Sequence, residues 1–264
     1  MEDQRYVIIG DVHGCLEELD DLLAHVQYRG RNGGDRLVFA GDLLDRGPDP
    51  VGVVRRAREL RAECVMGNHE EKHVRWRRWT GKVASGEAAK NPMRPFDKVR
   101  LDEHNALSEE DMAYIVAMPK FIRLNEGWLV VHAGFESNGV AVETQKLNTV
   151  SRVRDVNEKG KMAVNKADFF KPAEGSVPWS TRWAGPENVV YGHAVHSLAK
   201  PRVDNHEDYA CYGIDTGCVF GGALTALVVD PRGVKYPTFK NIRSKREYYP
   251  LPRGWGPGRP LAAD

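Results

Sequence analysis

The sequence lacks the features that mark membrane proteins and disulfide-rich secreted domains. No apolar run approaches the about 18 residues that a membrane-spanning helix needs. The charged first five residues lead into an apolar stretch that is too short for the core of a signal peptide. The four cysteines include no CxxC pair, so neither a disulfide framework nor a cysteine zinc site is indicated. We therefore expect reduced thiols and a cytoplasmic location.

Composition and length are those of an ordinary folded protein. Hydrophobic residues make up 41% of the 264 positions and charged residues 28%, which excludes disorder as the main state. The net charge of +1 points to no particular class of partner. The length fits one α/β core, which we predict over residues 1–249, with a cap insert at about 72–125. Residues 250–264, with their Pro, Gly and Arg, are predicted to form an extended or disordered tail.

Three short apolar runs in the first quarter predict buried strands, and each ends in a polar cluster. The runs cover residues 6–9, 37–40 and 64–66, and glycine follows each of them directly. A leucine-rich amphipathic helix separates the first two runs, and Asp49 with Pro50 opens a second helix before the third. Strands connected by helices in this way run parallel. The three polar clusters are therefore expected at one sheet edge, where open α/β sheets bind ligands.

The second half is richer in strands and has one clear helix. Apolar runs lead into His132, His193 and Asp215, and residues 223–229 predict a further strand. Ser108 and Asp111 predict the N-terminal cap of a helix that extends to about residue 117. These patterns predict a second, more antiparallel sheet.

Five predicted strand ends carry side chains that bind hard or borderline metal ions. The six residues are Asp11, His13, Asp42, Asn68, His132 and His193. Any one of them alone is more often a cap or a satisfied polar group, but five strand ends that each supply a ligand indicate an active site. Carboxylate, amide and imidazole ligands without thiolate favour Mn, Fe or Zn over a calcium cage. Six ligands suit two ions about 3.5–4 Å apart that share one carboxylate.

Three motifs in order carry a specific family resemblance. Residues 10–14 (GDVHG), 41–47 (GDLLDRG) and 67–70 (GNHE) resemble the GDxHG, GDxxDRG and GNHE motifs of the phosphoprotein phosphatase family of calcineurin-like metallophosphoesterases. The resemblance covers roughly residues 6–229. It implies a four-layer α/β/β/α sandwich of two mixed sheets, with a small helical cap and a dimetal site at the carboxyl edge of the sheets.

The resemblance also implies how the two metal ions are held. Asp11 and His13 would bind one ion and Asp42 would bridge both. Asn68 would bind the second ion together with His132 and His193, which match the family's two later metal histidines. We expect two divalent ions, Mn²⁺ first, with Fe, Zn or Co as alternatives. A hydroxide that bridges them is a nucleophile at neutral pH.

Two further steps of phosphate hydrolysis need protein side chains. Attack on phosphorus builds charge on oxygen, so a cation must face the phosphate; Arg46 beside the ligand-bearing turn is the candidate, with a structural ion pair as the alternative. His69 is the candidate general acid, with Asp45 available to orient it. The family likewise pairs these two motif positions. A second phosphate-binding arginine is also expected: Arg182 is the candidate, and Arg152 and Arg154 are the alternatives.

The substrate is the most open question. Residues 212–227 resemble the IDTGCxxGGxLTxL stretch of bacterial dinucleoside tetraphosphate hydrolases and their relatives. We therefore expect a hydrolase of phosphate esters or anhydrides that acts on nucleotide-type substrates such as dinucleoside polyphosphates. A serine/threonine protein phosphatase is the alternative, and a non-catalytic metal-binding scaffold a remote one. The expected partner is a phosphorylated small molecule or phosphoprotein and not a membrane; nucleic acid and the oligomeric state stay open.

A basic segment follows the third motif. Residues 72–100 contain nine Lys and Arg against two acids, and Trp76 and Trp79 lie three positions apart among the arginines. Indole rings can stack on bases and arginines can hold phosphates, so this part of the cap could read a polyanionic substrate. In the alternative reading the tryptophans pack the cap onto the core and the arginines are simply solvated.

Overall fold

Two mixed sheets form the centre of the computed structural model, which describes residues 4–124, 127–167, 171–230 and 237–251. Its strands are β1 (Arg5–Ile9), β2 (Asp35–Phe39), β3 (Glu63–Cys64), β4 (Phe121–Leu124), β5 (Trp128–Val131), β6 (Asp155–Val156), β7 (Met162–Ala163), β8 (Val177–Pro178), β9 (Asn188–Tyr191), β10 (Arg202–Asn205), β11 (Ala210–Gly213), β12 (Ala223–Val229) and β13 (Thr238–Arg243). Its helices are α1 (Leu16–His25), α2 (Pro50–Glu59), α3 (Asn68–Ala84), α4 (Lys98–Ala106), α5 (Glu109–Val116) and α6 (Leu147–Val150). Most of the tail predicted over 250–264 lies outside the described residues.

The first sheet has the strand order β13-β12-β1-β2-β3. β1, β2 and β3 run parallel, as the alternation with α1 and α2 predicts. β12 and β13 extend the sheet antiparallel on the other side of β1. The polar residues that follow β1 and β2 therefore lie at one carboxyl edge of this sheet.

The second sheet has the order β10-β11-β9-β5-β4. Its central strands β5, β9 and β11 are parallel, and only the edge strands β4 and β10 are antiparallel. The prediction of a more antiparallel second sheet is therefore wrong, since each sheet has two pairings of each kind. The long connections from β5 to β9 and from β9 to β11 give the chain enough length to cross over and pair in parallel. Residues 223–229, which the sequence pattern grouped with the strands of the second sheet, instead join the first sheet as β12.

Alternating side chains of β1 show how the layers pack. Tyr6 and Ile8 lie in the core between the two sheets, together with Val130 of β5. Val7 faces the opposite way and shares a core with Leu19 of α1. This alternation is the period of two that a strand imposes on its side chains. The two sheets thus face each other, with α1 and α2 on the outer face of the first.

The outer face of the second sheet has a different cover. Val131 and Tyr191 share a third core with Phe135, Val150 and Trp179. The cover consists of the short helix α6, a 3₁₀ turn at Trp179–Arg182 and a small sheet of order β7-β6-β8. Among the described residues, no long helix lies in this layer, in line with the scarcity of helical pattern in the second half.

Local signals in the sequence set the helix ends as expected. α2 begins at Pro50, and the Asp49 side chain accepts a hydrogen bond from the Gly52 N–H at 2.8 Å. Ser108 and Asp111 form the predicted capping box at the start of α5. In the described part of the chain, no helix is long and apolar enough to cross a membrane.

The segment predicted as a cap insert is divided between the cap and the core. α3 begins at the candidate ligand Asn68, and its buried residues all lie between Asn68 and His73; α4 has no buried residue. Met112 and Ile115 of α5 lie in the core beneath α1 and α2, and β4 pairs with β5 along its whole length. The part that stands outside the core therefore ends before α5.

Candidate metal centre

The loops that follow β1, β2, β5 and β9 meet where the two sheets approach each other. The backbone N–H of His193 donates to both carboxylate oxygens of Asp11 at 3.1 Å, which joins the two sheets. Nε2 of His132 lies 3.4 Å from Oδ1 of Asp42, a second link of the same kind. Gly41, with φ +94°, allows the close approach, because a Cβ there would lie 2.7 Å from Nδ1 of His132.

Two imidazole rings are oriented by backbone carbonyl groups. His13 donates from Nδ1 to the Leu44 carbonyl at 2.7 Å, and His132 donates from Nδ1 to the Ala40 carbonyl at 2.8 Å. Each ring therefore keeps the lone pair of Nε2 for another partner, as metal-binding histidines do. Burial also lowers the pKa of His13 well below its ordinary value, so its ring is neutral near pH 7.

Oxygen and nitrogen acceptors face one another at the centre. Nε2 of His132 lies 3.1 Å from Oδ1 of Asn68 and 3.4 Å from Oδ1 of Asp42. On the other side of Asp42, Oδ2 lies 3.5 Å from Nε2 of His13. Acceptor atoms this close need positive charge among them, either a proton on Nε2 of His132, whose pKa Asp42 raises despite burial, or a metal cation in its place. The donor set therefore fits a metal centre in which Asp42 is common to both halves.

Two groups of candidate ligands share Asp42. One group is His13, Asp42 and His69, and the other is Asp42, His132 and His193; within each, the ligand atoms lie within 4.8 Å of one another. All six residues proposed from the sequence as metal ligands are thus brought to one place, with Asn68 against His132 and Asp11 against His193.

Carboxylates crowd one side of the centre. Burial, followed by the charges of Asp215 and Asp42, raises the pKa of Asp11 well above its ordinary value. Asp215 is itself buried, and its Oδ1 accepts the Gly217 N–H at 3.0 Å. Asp215 is not among the six metal ligands predicted from the sequence, although it follows a strand in the same way as they do. A bound cation would offset the repulsion among these three neighbouring carboxylates.

Backbone strain is concentrated in the candidate residues. Five of them have positive φ angles: His13 (44°), Asp42 (50°), Asp45 (69°), Arg46 (75°) and His193 (65°). Non-glycine residues rarely adopt this region, at a cost of order 1–3 kcal/mol each. Such strain persists only where the surrounding structure imposes it, and it is typical of functional sites.

Glu70 holds the loop that carries Asp42, a role that sequence reasoning missed. Its carboxylate accepts the backbone N–H groups of Asp42 at 2.9 Å, Leu43 at 2.8 Å and Leu44 at 3.1 Å. Burial, reinforced by the charge of Asp42, raises the pKa of Glu70 to about 7. Glu70 belongs to the GNHE motif, but no local pattern indicates that its carboxylate binds backbone N–H groups.

Asp45 contacts His69 as predicted and has three further partners. Nδ1 of His69 and an Asp45 oxygen form a short hydrogen bond. Arg100 donates to both Asp45 oxygens at 2.7 and 2.8 Å, His73 lies 3.3 Å away, and Glu103 accepts the Asp45 N–H at 2.9 Å. Burial raises the pKa of Asp45, but the hydrogen bonds from His69, His73 and Arg100 outweigh it and hold the pKa far below its ordinary value. The carboxylate is therefore ionised and fixes the His69 ring.

His69 lies beside the candidate ligands, between charges of both signs. Burial is the main cause that lowers its pKa to about 4; Arg46 acts in the same direction, and Asp42 and Asp45 act in the opposite one. Its backbone N–H donates to Oδ1 of Asp42 at 3.0 Å. An anionic substrate at this position would favour the protonated ring, because opposite charge stabilises the charged form.

Arg46 lies against the centre, as expected. Its guanidinium donates to Nε2 of His13 at 2.7 Å. The same guanidinium lies over the rings of Phe220 and Tyr249, with 5.3 and 5.9 Å to their centroids. Arg46 therefore stands between the candidate metal ligands and a pair of aromatic side chains.

The structure does not bring Arg182 to the centre. Arg182 is the exposed last residue of the 3₁₀ turn that begins at Trp179, and within the described residues no hydrogen bond or ion pair joins it to a candidate ligand. Arg154, one of the two alternatives, is partly buried. Its positive charge, after burial, is the second cause that lowers the pKa of His193, so it acts on the centre. Arg152 is hydrogen-bonded to Glu71 at 2.6 Å. The geometry thus favours Arg154 over Arg182, because the turn that carries Arg182 lies on the outer layer.

Five of the nine basic side chains in residues 72–100 form ion pairs with carboxylates of this protein. The ion pairs are Arg75–Glu71, Arg77–Glu109, Lys82–Glu87, Lys98–Asp102 and Arg100–Asp45. Trp76 stacks on Phe96, with 4.4 Å between ring centroids. These contacts favour the packing role for Trp76 and the arginines. Lys72 differs, because it lies one turn after Asn68 and interacts electrostatically with Asp45 and Asp42.

Comparison with known proteins agrees with this geometry. A family model described as calcineurin-like phosphoesterase matches residues 4–225. The chain is 32% identical to bis(5'-nucleosyl)-tetraphosphatase PrpE [asymmetrical] of Bacillus subtilis (strain 168) over 249 residues, which are 90% of this chain and 93% of that protein. It is 30% identical to the protein of the same name from Oceanobacillus iheyensis over 230 residues, 83% and 86% of the two chains.

Solved structures show the same fold. The crystal structure of a protein described as a candidate diadenosine tetraphosphatase is similar with a TM-score of 0.71 at 28% identity, covering 92% of this chain and 94% of that one. A serine/threonine phosphatase from Saccharomyces cerevisiae has a TM-score of 0.56 at 12% identity, covering 93% and 82%. The second likeness concerns the fold alone. The chain belongs to the calcineurin-like phosphoesterase family and is a metallophosphoesterase, a hydrolase.

Proposed function

We propose that this enzyme hydrolyses dinucleoside polyphosphates at the centre around Asp42. The observation that carries the proposal is the position of Asp42, which lies within 4.8 Å of the ligand atoms of His13 and His69 in one group and of His132 and His193 in the other. In the first group we assign Asp11 as the further ligand and His69 as the acid, with Arg46 beside them. Relatives at 30% and 32% identity carry the name of a bis(5'-nucleosyl)-tetraphosphatase, which supports this substrate class.

All four cysteines are free and buried, which supports the proposed cytoplasmic location.

The proposed ligands divide into two sets around Asp42. Asp11, His13 and Asp42 would hold one ion, and Asp42, Asn68, His132 and His193 the other. Oxygen and imidazole donors without thiolate support Mn²⁺ as the working metal. Two divalent cations held there would supply Lewis acidity and an activated water for attack on phosphorus at neutral pH.

The remaining residues act on the phosphate and the leaving group. Arg46 is proposed to bind the phosphate oxygens on which charge develops, with Arg154 and Lys72 adding positive charge on the same centre. His69 is proposed to deliver a proton to the leaving oxygen. Asp45 holds the His69 ring through Nδ1, which leaves Nε2 to carry that proton.

A substrate panel tests the proposed function. Diadenosine tetraphosphate, a serine phosphopeptide, AMP and para-nitrophenyl phosphate would be compared with one Mn²⁺ stock, by kcat/KM. We expect the highest kcat/KM for diadenosine tetraphosphate. A higher value for the phosphopeptide would make the chain a protein phosphatase, and the absence of turnover on every substrate would indicate a non-catalytic scaffold.

A further inference from the structure

A cleft of about 350 Å³ opens beside the candidate centre on the side away from the cap. It is lined by Arg46, Gly47, Pro48, Arg246, Glu247 and Tyr248. Arg46 thus contributes both to the centre, through its hydrogen bond to His13, and to this cleft. A molecule whose phosphate met Arg46 has room for its next chemical group in this cleft; Arg46 also lines a second cavity, of about 460 Å³, which faces Asp102 and Glu103 of α4.

The far wall of the cleft is firmly attached to the core. The backbone N–H groups of Tyr248 and Tyr249 both donate to the Val219 carbonyl, at 3.0 and 2.9 Å. The Tyr248 hydroxyl donates to the buried Glu18 at 2.8 Å, and the backbone N–H of Lys245 donates to the same oxygen at 2.9 Å. The wall is therefore preformed, which reduces the entropy that binding must overcome.

The wall presents aromatic and cationic groups to solvent. Tyr249 borders the cleft without lining it: it follows the lining residue Tyr248, and its ring lies 5.9 Å from the guanidinium of the lining residue Arg46. Tyr249 is 44% exposed, and its ring also contacts Phe220 edge-on at 6.3 Å. Arg246 is exposed, with its guanidinium over the Tyr248 ring at 5.0 Å, and within the described residues it has no ion pair. Exposed aromatic faces and guanidinium planes stack on nucleobases without needing a particular base.

Glu247 favours a nucleobase over a second phosphate group in the cleft. Its exposed carboxylate lines the cleft and would repel a second phosphate group. It can instead accept a hydrogen bond from the exocyclic amino group of a base. The chemistry of the cleft therefore suits a nucleoside attached to the phosphate that Arg46 binds.

We propose that the cleft between Arg46 and residues 246–249 is a nucleoside subsite, in which the base of the substrate stacks on Tyr249 and Arg246. The inference rests on the proposed function, since it concerns the nucleoside next to the phosphate at the centre. It gives the segment that follows β13 a part in substrate selection.

Direct binding tests the subsite without relying on turnover of a dinucleoside substrate. Calorimetric dissociation constants of AMP and ribose 5-phosphate would be measured on the Mn²⁺-loaded enzyme, because their ratio isolates the contribution of the base. We expect AMP to bind at least about tenfold more tightly, and Tyr249→Ala or Arg246→Ala to remove most of that advantage. Tyr249→Phe keeps the ring and should keep the ratio. Arg243→Ala, which removes an equal charge from β13 outside the cleft, should also keep it.

The outcomes separate the subsite from the proposed function. Equal binding of AMP and ribose 5-phosphate to the wild-type enzyme, or an unchanged ratio in Tyr249→Ala, would overturn the subsite even if diadenosine tetraphosphate is the best substrate. A ratio that collapses in Tyr249→Ala supports the subsite even if another nucleotide proves to be the better substrate. Circular dichroism of each variant checks that the fold is retained.

Discussion

Arg100 of α4 donates two hydrogen bonds to Asp45, the carboxylate that holds the ring of His69. The distances are 2.7 Å from Nε to Oδ1 and 2.8 Å from the terminal nitrogen to Oδ2. Glu103, one turn further along α4, accepts the backbone N–H of Asp45. α4 is therefore hydrogen-bonded to the residue that orients the proposed general acid, so a substitution in α4 can change the rate of the proton-transfer step.

Arg100→Ala should lower kcat for diadenosine tetraphosphate about tenfold or more and leave the metal content unchanged. The reason is that Asp45 loses a bidentate partner and no longer fixes His69. Lys98→Ala is the matched control, since Lys98 pairs with Asp102 on the exposed face of the same helix. The loss should be smaller on para-nitrophenyl phosphate, whose leaving group needs little protonation. An equal loss on both substrates would assign Arg100 a purely structural role.

His69→Ala should retain its metal ions and lose about 10²–10⁴ in kcat on substrates with poor leaving groups, the usual contribution of a positioned acid. The loss should shrink for para-nitrophenyl phosphate. Rates on an alkyl and an aryl phosphate ester, measured together with metal analysis, check this. If both esters slowed equally, His69 would not be the acid.

Glu70→Gln should weaken metal binding about 10–100-fold, a typical cost of losing a group that supports ligands from behind. Glu70 accepts three backbone N–H groups, and the amide NH₂ of glutamine would face one of these donors. The control is Glu71→Gln, because the neighbouring Glu71 pairs with Arg152 outside the centre. Metal affinity from a competitive chelator titration reads out the effect; equal affinities for the two variants would contradict it.

Asp35→Asn should lower the free energy of unfolding by about 1–3 kcal/mol at pH 7. Asp35 is fully buried and accepts hydrogen bonds from Arg5 and Arg29, which outweigh burial and lower its pKa. Its contribution is therefore present above the unfolded-state pKa of about 3.9 and is lost as the pH falls through the lower folded pKa.

Urea unfolding of wild type and Asp35→Asn between pH 7 and pH 3 measures this effect. The stability gap between the two proteins should narrow below about pH 4. Asp20→Asn, which breaks an exposed pair with Arg56, should show only a small gap at any pH. A gap for Asp35→Asn that stayed constant with pH would contradict the ionic role.

Short-range patterns in the sequence predict the parallel strands β1, β2 and β3 of the first sheet and the candidate ligand residues that follow them. Buried runs such as residues 6–9 are bounded by glycine and separated by amphipathic helices, so their parallel order follows from local rules. Asp42 could be located because it directly follows such a run. The capping box at Ser108 is equally local.

Contacts between residues far apart in the sequence could not be predicted from short-range patterns. Arg100 lies 55 positions from Asp45, and no local pattern links them. The choice of Arg154 over Arg182 depends on how the outer layer covers the second sheet. Glu70 binds N–H groups of a loop whose strained backbone is imposed by the folded protein. The parallel pairing of β5 with β9 joins segments more than 50 residues apart, which no strand pattern reveals.

The shared position of Asp42 is the central claim, and metal analysis of Asp42→Asn tests it most directly. Wild-type and variant enzyme would be stripped with EDTA, titrated with Mn²⁺, and assayed for bound metal and for hydrolysis of diadenosine tetraphosphate. We predict two Mn²⁺ per wild-type chain, no activity after stripping, recovery on titration, and loss of both tight metal binding and activity in Asp42→Asn. Full activity of the stripped wild-type enzyme, or two tightly bound Mn²⁺ with normal turnover in Asp42→Asn, would contradict the account.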